Sequence, residues 1–253
     1  MKKKIILFNI LTHGNERVGL KVIEKIKKLK IDNNTYDFSF QIANEKAFNL
    51  KKRYIDQDLN RSFPGKKNGN HEEKIAHKIM PFIKSADLVI DIHSTTSNTK
   101  NTIIITKINK KLIDYIESIG PRYVVIMDNN KNSLISQAKI GISFEYGKEN
   151  KSSTINGTFS GIKRLLSHLN VIDSKIIKRK NKINYFIVNS IVPRIKGYKT
   201  AKHIKNYKLV KKGEVYAVNR RNKIVADKNF YPILFGEKEY KDYFGFKGDK
   251  ISL

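Results

Sequence analysis

The stretch Lys4-Ile5-Ile6-Leu7-Phe8-Asn9, followed almost at once by Thr12-His13-Gly14-Asn15-Glu16, decides how this chain is read. The first part is a short apolar run bounded by polar residues, the pattern of a buried strand. Beyond the turn, Val18, Leu20, Val22, Ile23, Ile26 and Leu29 recur at roughly helical spacing with lysines between them. A strand that turns into a helix opens an α/β fold, and in open α/β sheets ligands gather outside the carboxyl ends of the strands. His13 and Glu16 fall at that turn, where Gly14 is expected to let the backbone bend sharply. Asn15 is expected to cap the helix, with Glu16 in its first turn.

The alternation continues along the chain. Phe38, Phe40 and Ile42 alternate within 36–43 and predict a strand. Residues 53–65 read Arg-Tyr-Ile-Asp-Gln-Asp-Leu-Asn-Arg-Ser-Phe-Pro-Gly, a polar segment closed by Pro-Gly, and predict a loop. An amphipathic helix is expected over 72–83, with Pro81 limiting its last turn. Further strands are expected over 86–93, 102–106, 123–127 and 140–145, and helices over 110–119 and 158–169. This predicts an α/β mixed sheet flanked by helices. After about residue 175 a basic hinge (175–182) leads into short β-rich segments at 185–188, 208–209, 215–218, 224–226 and 231–235. The expected division is a catalytic domain over 1–178 and a small β-rich C-terminal domain over 179–253.

The composition narrows the chemistry. The 253 residues include no cysteine, so disulfides, thiolate metal sites and a cysteine nucleophile are excluded. Lys and Arg number 51 against 23 Asp and Glu, a formal net charge of +28. Such a balance raises nucleic acid as a partner, but the lysines are spread along the chain and form no basic arm. A basic surface also steers small anions toward a site. The apolar run after Met1-Lys2-Lys3-Lys4 is too short for a signal peptide and no small-residue cleavage site follows it. No run approaches the roughly 18 apolar residues of a membrane span, so the expected location is the cytoplasm.

Four sets of residues can carry chemistry. His13 and Glu16, joined by His93 from the end of the strand over 86–93, form a two-imidazole, one-carboxylate set that zinc accepts with a position left open. Asp91 points to the same side of that strand as His93, since side chains alternate with period two, and can brace it. Arg53, Asn60 and Arg61 place donors on the 53–65 loop, and arginine forks suit carboxylates. Glu145, at the end of its strand, is a general-base candidate. His71, His77, His168 and His203 read as surface residues.

Taken together these motifs resemble the succinylglutamate desuccinylase/aspartoacylase family, a branch of the zinc carboxypeptidase-like fold, and its aspartoacylase branch most closely. Thr12-His13-Gly14-Asn15-Glu16 is similar to the family's first zinc motif, and Arg53-Tyr54-Ile55-Asp56 with Asp58-Leu59-Asn60-Arg61 to its substrate loop. Asp91-Ile92-His93 followed by Thr95-Thr96-Ser97-Asn98 resembles the third-ligand segment, Glu145-Tyr146-Gly147 the segment of the base, and Tyr231-Pro232 with Glu237 and Tyr240 the C-terminal segment. The resemblance implies that His13, Glu16 and His93 bind one zinc ion per chain. It implies that Glu145 passes a proton from the attacking water to the leaving amine and that Arg53 stabilises the oxyanion. Asn60 and Arg61 would hold a substrate carboxylate, and Tyr240 would close the pocket. Aspartoacylases carry another substrate-binding arginine shortly before the base; the segment Ser133-Leu134-Ile135-Ser136-Gln137-Ala138-Lys139 has none, and Lys139 is the cation available there.

The expected activity is hydrolysis of a small anionic N-acyl amino acid of the N-acetylaspartate type. Succinylglutamate or another N-acyl acidic amino acid is the first alternative, and trimming of a peptide end the second. A basic nucleic-acid-binding protein on a retired hydrolase scaffold is the reading from another class. The sequence leaves a homo-oligomer open.

Overall fold

The structure, a computed structural model, describes residues 2–32, 34–97, 99–173, 182–236, 238 and 240–253. Most of the hinge expected over 175–182, together with Asn98 and Glu237 of the motifs above, lies outside the described residues.

The chain opens with strand β1 (Lys4–Ile10), helix α1 (Val18–Lys27), β2 (Tyr36–Ile42) and the short α2 (Glu45–Asn49). A single 3-10 turn (Leu59–Arg61) interrupts the predicted loop before α3 (His71–Ser85). Then come β3 (Leu88–Thr95), β4 (Thr102–Ile105), α4 (Lys110–Ile119), β5 (Tyr123–Ile126), α5 (Leu134–Gln137), β6 (Gly141–Lys148) and α6 (Ser152–His168). The remainder is β7 (Asn184–Pro193), β8 (Lys199–Thr200), β9 (Val215–Val218), β10 (Lys223–Val225), β11 (Tyr231–Ile233) and β12 (Tyr243–Ile251). The described residues form a nine-stranded mixed sheet in the order β11-β12-β7-β5-β4-β6-β3-β1-β2 and a three-stranded sheet in the order β10-β9-β8.

The sheet is covered on both faces because its central strands are apolar on both. In β1, Ile6, Phe8 and Ile10 pack with residues of α1, α4 and α6, while Leu7 packs with residues of α3 and α5 on the opposite face. Strands β2, β1, β3 and β6 pair in parallel as neighbours, and the sheet reverses where β4 runs antiparallel to β6.

Several expectations change. Strands β7, β11 and β12 all follow the expected 178/179 boundary, yet they extend the main sheet through β7 pairing in parallel with β5. The boundary therefore does not separate two sheets; only β8, β9 and β10 stand apart, over a cluster that includes Val210, Ala217, Phe230 and Phe244. Residues 208–209 form no strand; beside them Val210 makes an isolated bridge to Phe230. The helix expected to be limited by Pro81 runs on to Ser85. Helix α1 starts later than Asn15 allows as a cap, and the backbone N–H groups of Arg17 and Val18 donate instead to Glu149 from the turn after β6. Gly14 is required by close approach: a Cβ there would lie 2.3 Å from backbone atoms of Ala47 and Phe48. Among the described residues no helix is long and apolar enough to cross a membrane.

Candidate active site

The topology brings the predicted residues together at one end of three adjacent parallel strands. Asn9 of β1 pairs in register with Asp91 of β3, and His93 of β3 with Glu145 of β6. His13 and Glu16 sit in the turn that leaves β1. Because β-strand side chains alternate, Asp91 and His93 share a face, as do Ser143 and Glu145, which both line the pocket.

His13, Glu16 and His93 are buried, and one donor atom from each lies within 4.8 Å of the others. Glu16 is the hub. Its Oε1 lies 2.8 Å from His13 Nδ1 and its Oε2 lies 2.9 Å from His93 Nδ1. The far nitrogen of each ring faces another carboxylate: His13 Nε2 is 3.0 Å from Asp58 Oδ1, and His93 Nε2 is 2.7 Å from Asp91 Oδ2. Asp91 in turn accepts from Asn9 Nδ2 at 2.8 Å and Thr12 Oγ1 at 2.9 Å. Two imidazoles whose near nitrogens converge on a carboxylate, with their far nitrogens fixed by carboxylates, are the donor set and the bracing that zinc requires.

The charges obey the same arrangement. Burial alone would raise the Glu16 carboxyl, but the two imidazoles hold it well below the usual carboxylate range. Burial would likewise lower His93, and the carboxylates of Asp91, Glu145 and Glu16 push it well above its ordinary value. Asp58 and Asp91 are held low against their burial, Asp58 by His13, Arg53 and Arg61 and Asp91 by His93, Asn9 and Thr12.

The other predicted residues meet in the same pocket, whose walls include Arg53, Asn60, Arg61, Glu145 and Tyr240. Arg53 is not free within it: Nη1 donates to Glu16 Oε1 at 3.0 Å and Nη2 to Asp58 Oδ2 at 3.2 Å. Asn60 uses its carbonyl oxygen to hold the backbone N–H of Leu134 at 2.9 Å, which ties the substrate loop to α5. The ring of Tyr240 lies against Tyr243, with centroids 4.2 Å apart. Lys139 is elsewhere: its Nζ pairs with Asp87 at 3.5 Å on the surface, so it does not replace the missing arginine.

Three carboxylates matter beyond those named from sequence. Asp58 lies inside the quoted loop motif, and its place beside Asn60 and Arg61 was the available signal. Glu72 is fully buried in the first turn of α3 and accepts from the backbone N–H groups of Ile55 at 2.7 Å, Asp56 at 2.9 Å and Gln57 at 3.2 Å, and from Asn44 Nδ2 at 2.9 Å. Glu149 joins Ser94 Oγ, at 2.6 Å, to the start of α1. Glu72 and Glu149 carried no motif; in sequence they read as ordinary helix-start and turn acids.

This α/β architecture has counterparts among solved structures. The crystal structure of murine aminoacylase 3 superposes with a TM-score of 0.82 at 17% identity, covering 99% of this chain and 97% of that one, and so shares its fold. Residues 11–169 match the model of the succinylglutamate desuccinylase/aspartoacylase catalytic domain, and the chain belongs to that family. A probable aspartoacylase of Trichodesmium erythraeum (strain IMS101) is 31% identical over 155 residues, 54% of this chain and 53% of that protein. An N-acyl-aromatic-L-amino acid amidohydrolase (carboxylate-forming) of Xenopus tropicalis is 29% identical over 162 residues, 54% of this chain and 52% of that protein. The chain spans about half the length of these curated relatives.

Proposed function

We propose that this protein is a zinc-dependent amidohydrolase of the cytoplasm that cleaves an N-acyl amino acid into a carboxylate and a free amino acid. The observation that carries the reading is the convergence of His13 and His93 on Glu16, at the wall of a pocket that Glu145 and Arg61 also line. The activities for which the aspartoacylase and amidohydrolase relatives are named support it.

His13 Nδ1, a Glu16 oxygen and His93 Nδ1 would hold the ion. When bound, zinc polarises an acyl carbonyl and makes water nucleophilic near neutral pH. Glu145 accepts the proton of the attacking water as its oxygen bonds to the acyl carbon, and delivers that proton to the amine nitrogen as the C–N bond breaks. Arg53 faces the charge that develops on the acyl oxygen. Arg61 and Asn60 hold the substrate carboxylate, the Asn60 Oδ1 also keeping the loop seated on Leu134, and Tyr240 covers the pocket. The division at 178/179 is read as one of labour: 1–178 brings the ligands and the base, and 179–253 brings Tyr240. An N-acetylaspartate-type molecule is the substrate that the motifs favour, with a succinylglutamate-type molecule next. Nucleic acid is not assigned as a partner.

The test is metal content by elemental analysis together with amine release. One zinc per chain is expected, lost in His93→Ala. Glu145→Gln is expected to keep the zinc while turnover falls by about 10²- to 10⁴-fold. Loss of zinc from Glu145→Gln would make Glu145 a ligand. A wild-type protein that neither contains nor takes up zinc would overturn the reading.

A further inference from the structure

Resting on the deacylase reading, but departing from the acidic side chain that the motifs favour, we propose that the preferred substrate has a single carboxylate, held by Arg61, and an uncharged side chain seated in an apolar annex beyond it. The space beside the metal ligands is small, about 60 Å³. A second cavity of about 260 Å³ has walls that include Met127, Asn129, Val188, Ile191 and Phe246. The two adjoin, because Arg61, Met127, Asn130 and Phe246 border both. Arg61 thus stands between the ligands and the second cavity's own walls, Val188 and Ile191 among them.

The charges decide what fits there. Among the described residues the cations lining the catalytic pocket are Arg53 and Arg61. Arg53 is engaged with Glu16 and Asp58, at 3.0 and 3.2 Å. Arg61 alone lines the annex as a charged group; the other polar walls are the amides of Asn129, Asn130 and Asn189 and the Ser190 hydroxyl. Lys139 borders neither cavity and pairs with Asp87. A substrate with two carboxylates places one on Arg61 and leaves the other facing apolar walls and amides with no cation to meet it. An apolar side chain placed there is favoured by the surface it removes from water.

The bonding of an N-acyl amino acid assigns the annex to the side chain and not to the acyl group. The α-carbon carries both the carboxylate and the side chain, so the side chain begins next to the group that Arg61 holds. The acyl carbon has to reach the ligands and Glu145 on the opposite side.

The experiment uses the full zinc-loaded protein and measures amine release from N-acetyl derivatives of aspartate, glutamate, leucine, methionine and phenylalanine. The best apolar substrate is expected to exceed N-acetylaspartate in kcat/KM by about tenfold or more, mainly through KM. Lengthening the acyl group on leucine is expected to matter less than changing the side chain. Ile191→Arg, at a 55% exposed position, is expected to shift the ratio toward aspartate by about tenfold with the thermal midpoint unchanged. Ser190→Arg, also exposed, repeats the test if the first variant fails to fold. Aspartate as the best wild-type substrate, or a ratio unmoved by either arginine, overturns this assignment and leaves the deacylase reading standing. No amine from any substrate overturns both.

Discussion

Around His13, Glu16 and His93 the side chains are held by charged partners; beyond Arg61 the walls are Met127, Val188, Ile191 and Phe246 with uncharged amides and a hydroxyl between them. His13 and His93 each lie between two carboxylates, with contacts of 2.7 to 3.0 Å. Those residues come from the turn after β1, from β3 and from the loop between α2 and α3, all within the segment 11–169 that matches the family model. The annex draws Val188, Ile191 and Phe246 from β7 and β12, which follow that segment and close the sheet with antiparallel pairing. A charge network fails when one member is removed, because its partners stay buried without compensation. An apolar wall tolerates exchange and changes what fits. On the proposed function the two ends divide chemistry from selectivity, and the division can be broken experimentally.

The largest effect is expected from Asp58→Asn. Asp58 orients His13 through Nε2 and also pairs with Arg53, so its amide keeps the shape and loses the charge. Zinc affinity should fall by roughly 10- to 100-fold in chelator competition. The ratio of apolar to acidic substrates should stay fixed, since no annex wall changes. Unaltered affinity would show that the carboxylate merely fills space, and the contrast between the two ends would lose its basis.

Glu72→Gln tests how the substrate loop is held between them. One carboxylate oxygen accepts from Ile55 N and Asn44 Nδ2, the other from Asp56 N and Gln57 N. Glutamine turns one acceptor into a donor facing donors. Burial alone would raise the Glu72 carboxyl, and the donors lower it below its ordinary value. A lowered folded-state pKa makes this stabilisation fully present above the unfolded value of about 4.3, and it is lost as pH falls through the folded value. The variant should lose about 1–3 kcal/mol of stability at pH 7. In denaturant titrations that gap should close below about pH 4, and KM should rise because Arg61 sits on the same loop. A gap that persists at low pH would mean that the loss comes from packing.

These tests also mark where the sequence could be read. Apolar periodicity placed β1, α1, β3 and α4 to within about two residues, and motif spacing singled out His13, Glu16 and His93, which the fold brings together. Strand β12 was missed although it is the sheet's link to β11. Gly245 and Gly248 interrupt its pattern, and lysines at 247 and 250 hide its apolar face. Both glycines are demanded by backbone packing: a Cβ on Gly245 would lie 2.8 Å from Phe235 Cα, and one on Gly248 would lie 2.6 Å from the Ile187 carbonyl oxygen. Without β12 the C-terminal segment read as a separate domain, and the annex that it helps to build was invisible. Glu72 was hidden for another reason. Its partners are backbone N–H groups, which leave no trace in residue identity.

The smallest effect, and the sharpest check on the selectivity end, is expected from Lys139→Ala. Sequence alone offered Lys139 as the stand-in for a second carboxylate-binding cation. It is 58% exposed in its side chain and pairs with Asp87, itself partly exposed, at 3.5 Å. Exposed pairs of this kind contribute about 0–1 kcal/mol to stability, and the residue borders neither cavity. The variant should therefore leave kcat/KM unchanged for both N-acetylaspartate and N-acetylleucine, with a shift in thermal midpoint of no more than a few degrees. A selective loss on N-acetylaspartate would instead mean that Lys139 swings from Asp87 to meet a side-chain carboxylate when substrate binds. The second cation would then exist, and the apolar walls of the annex would no longer decide the substrate class.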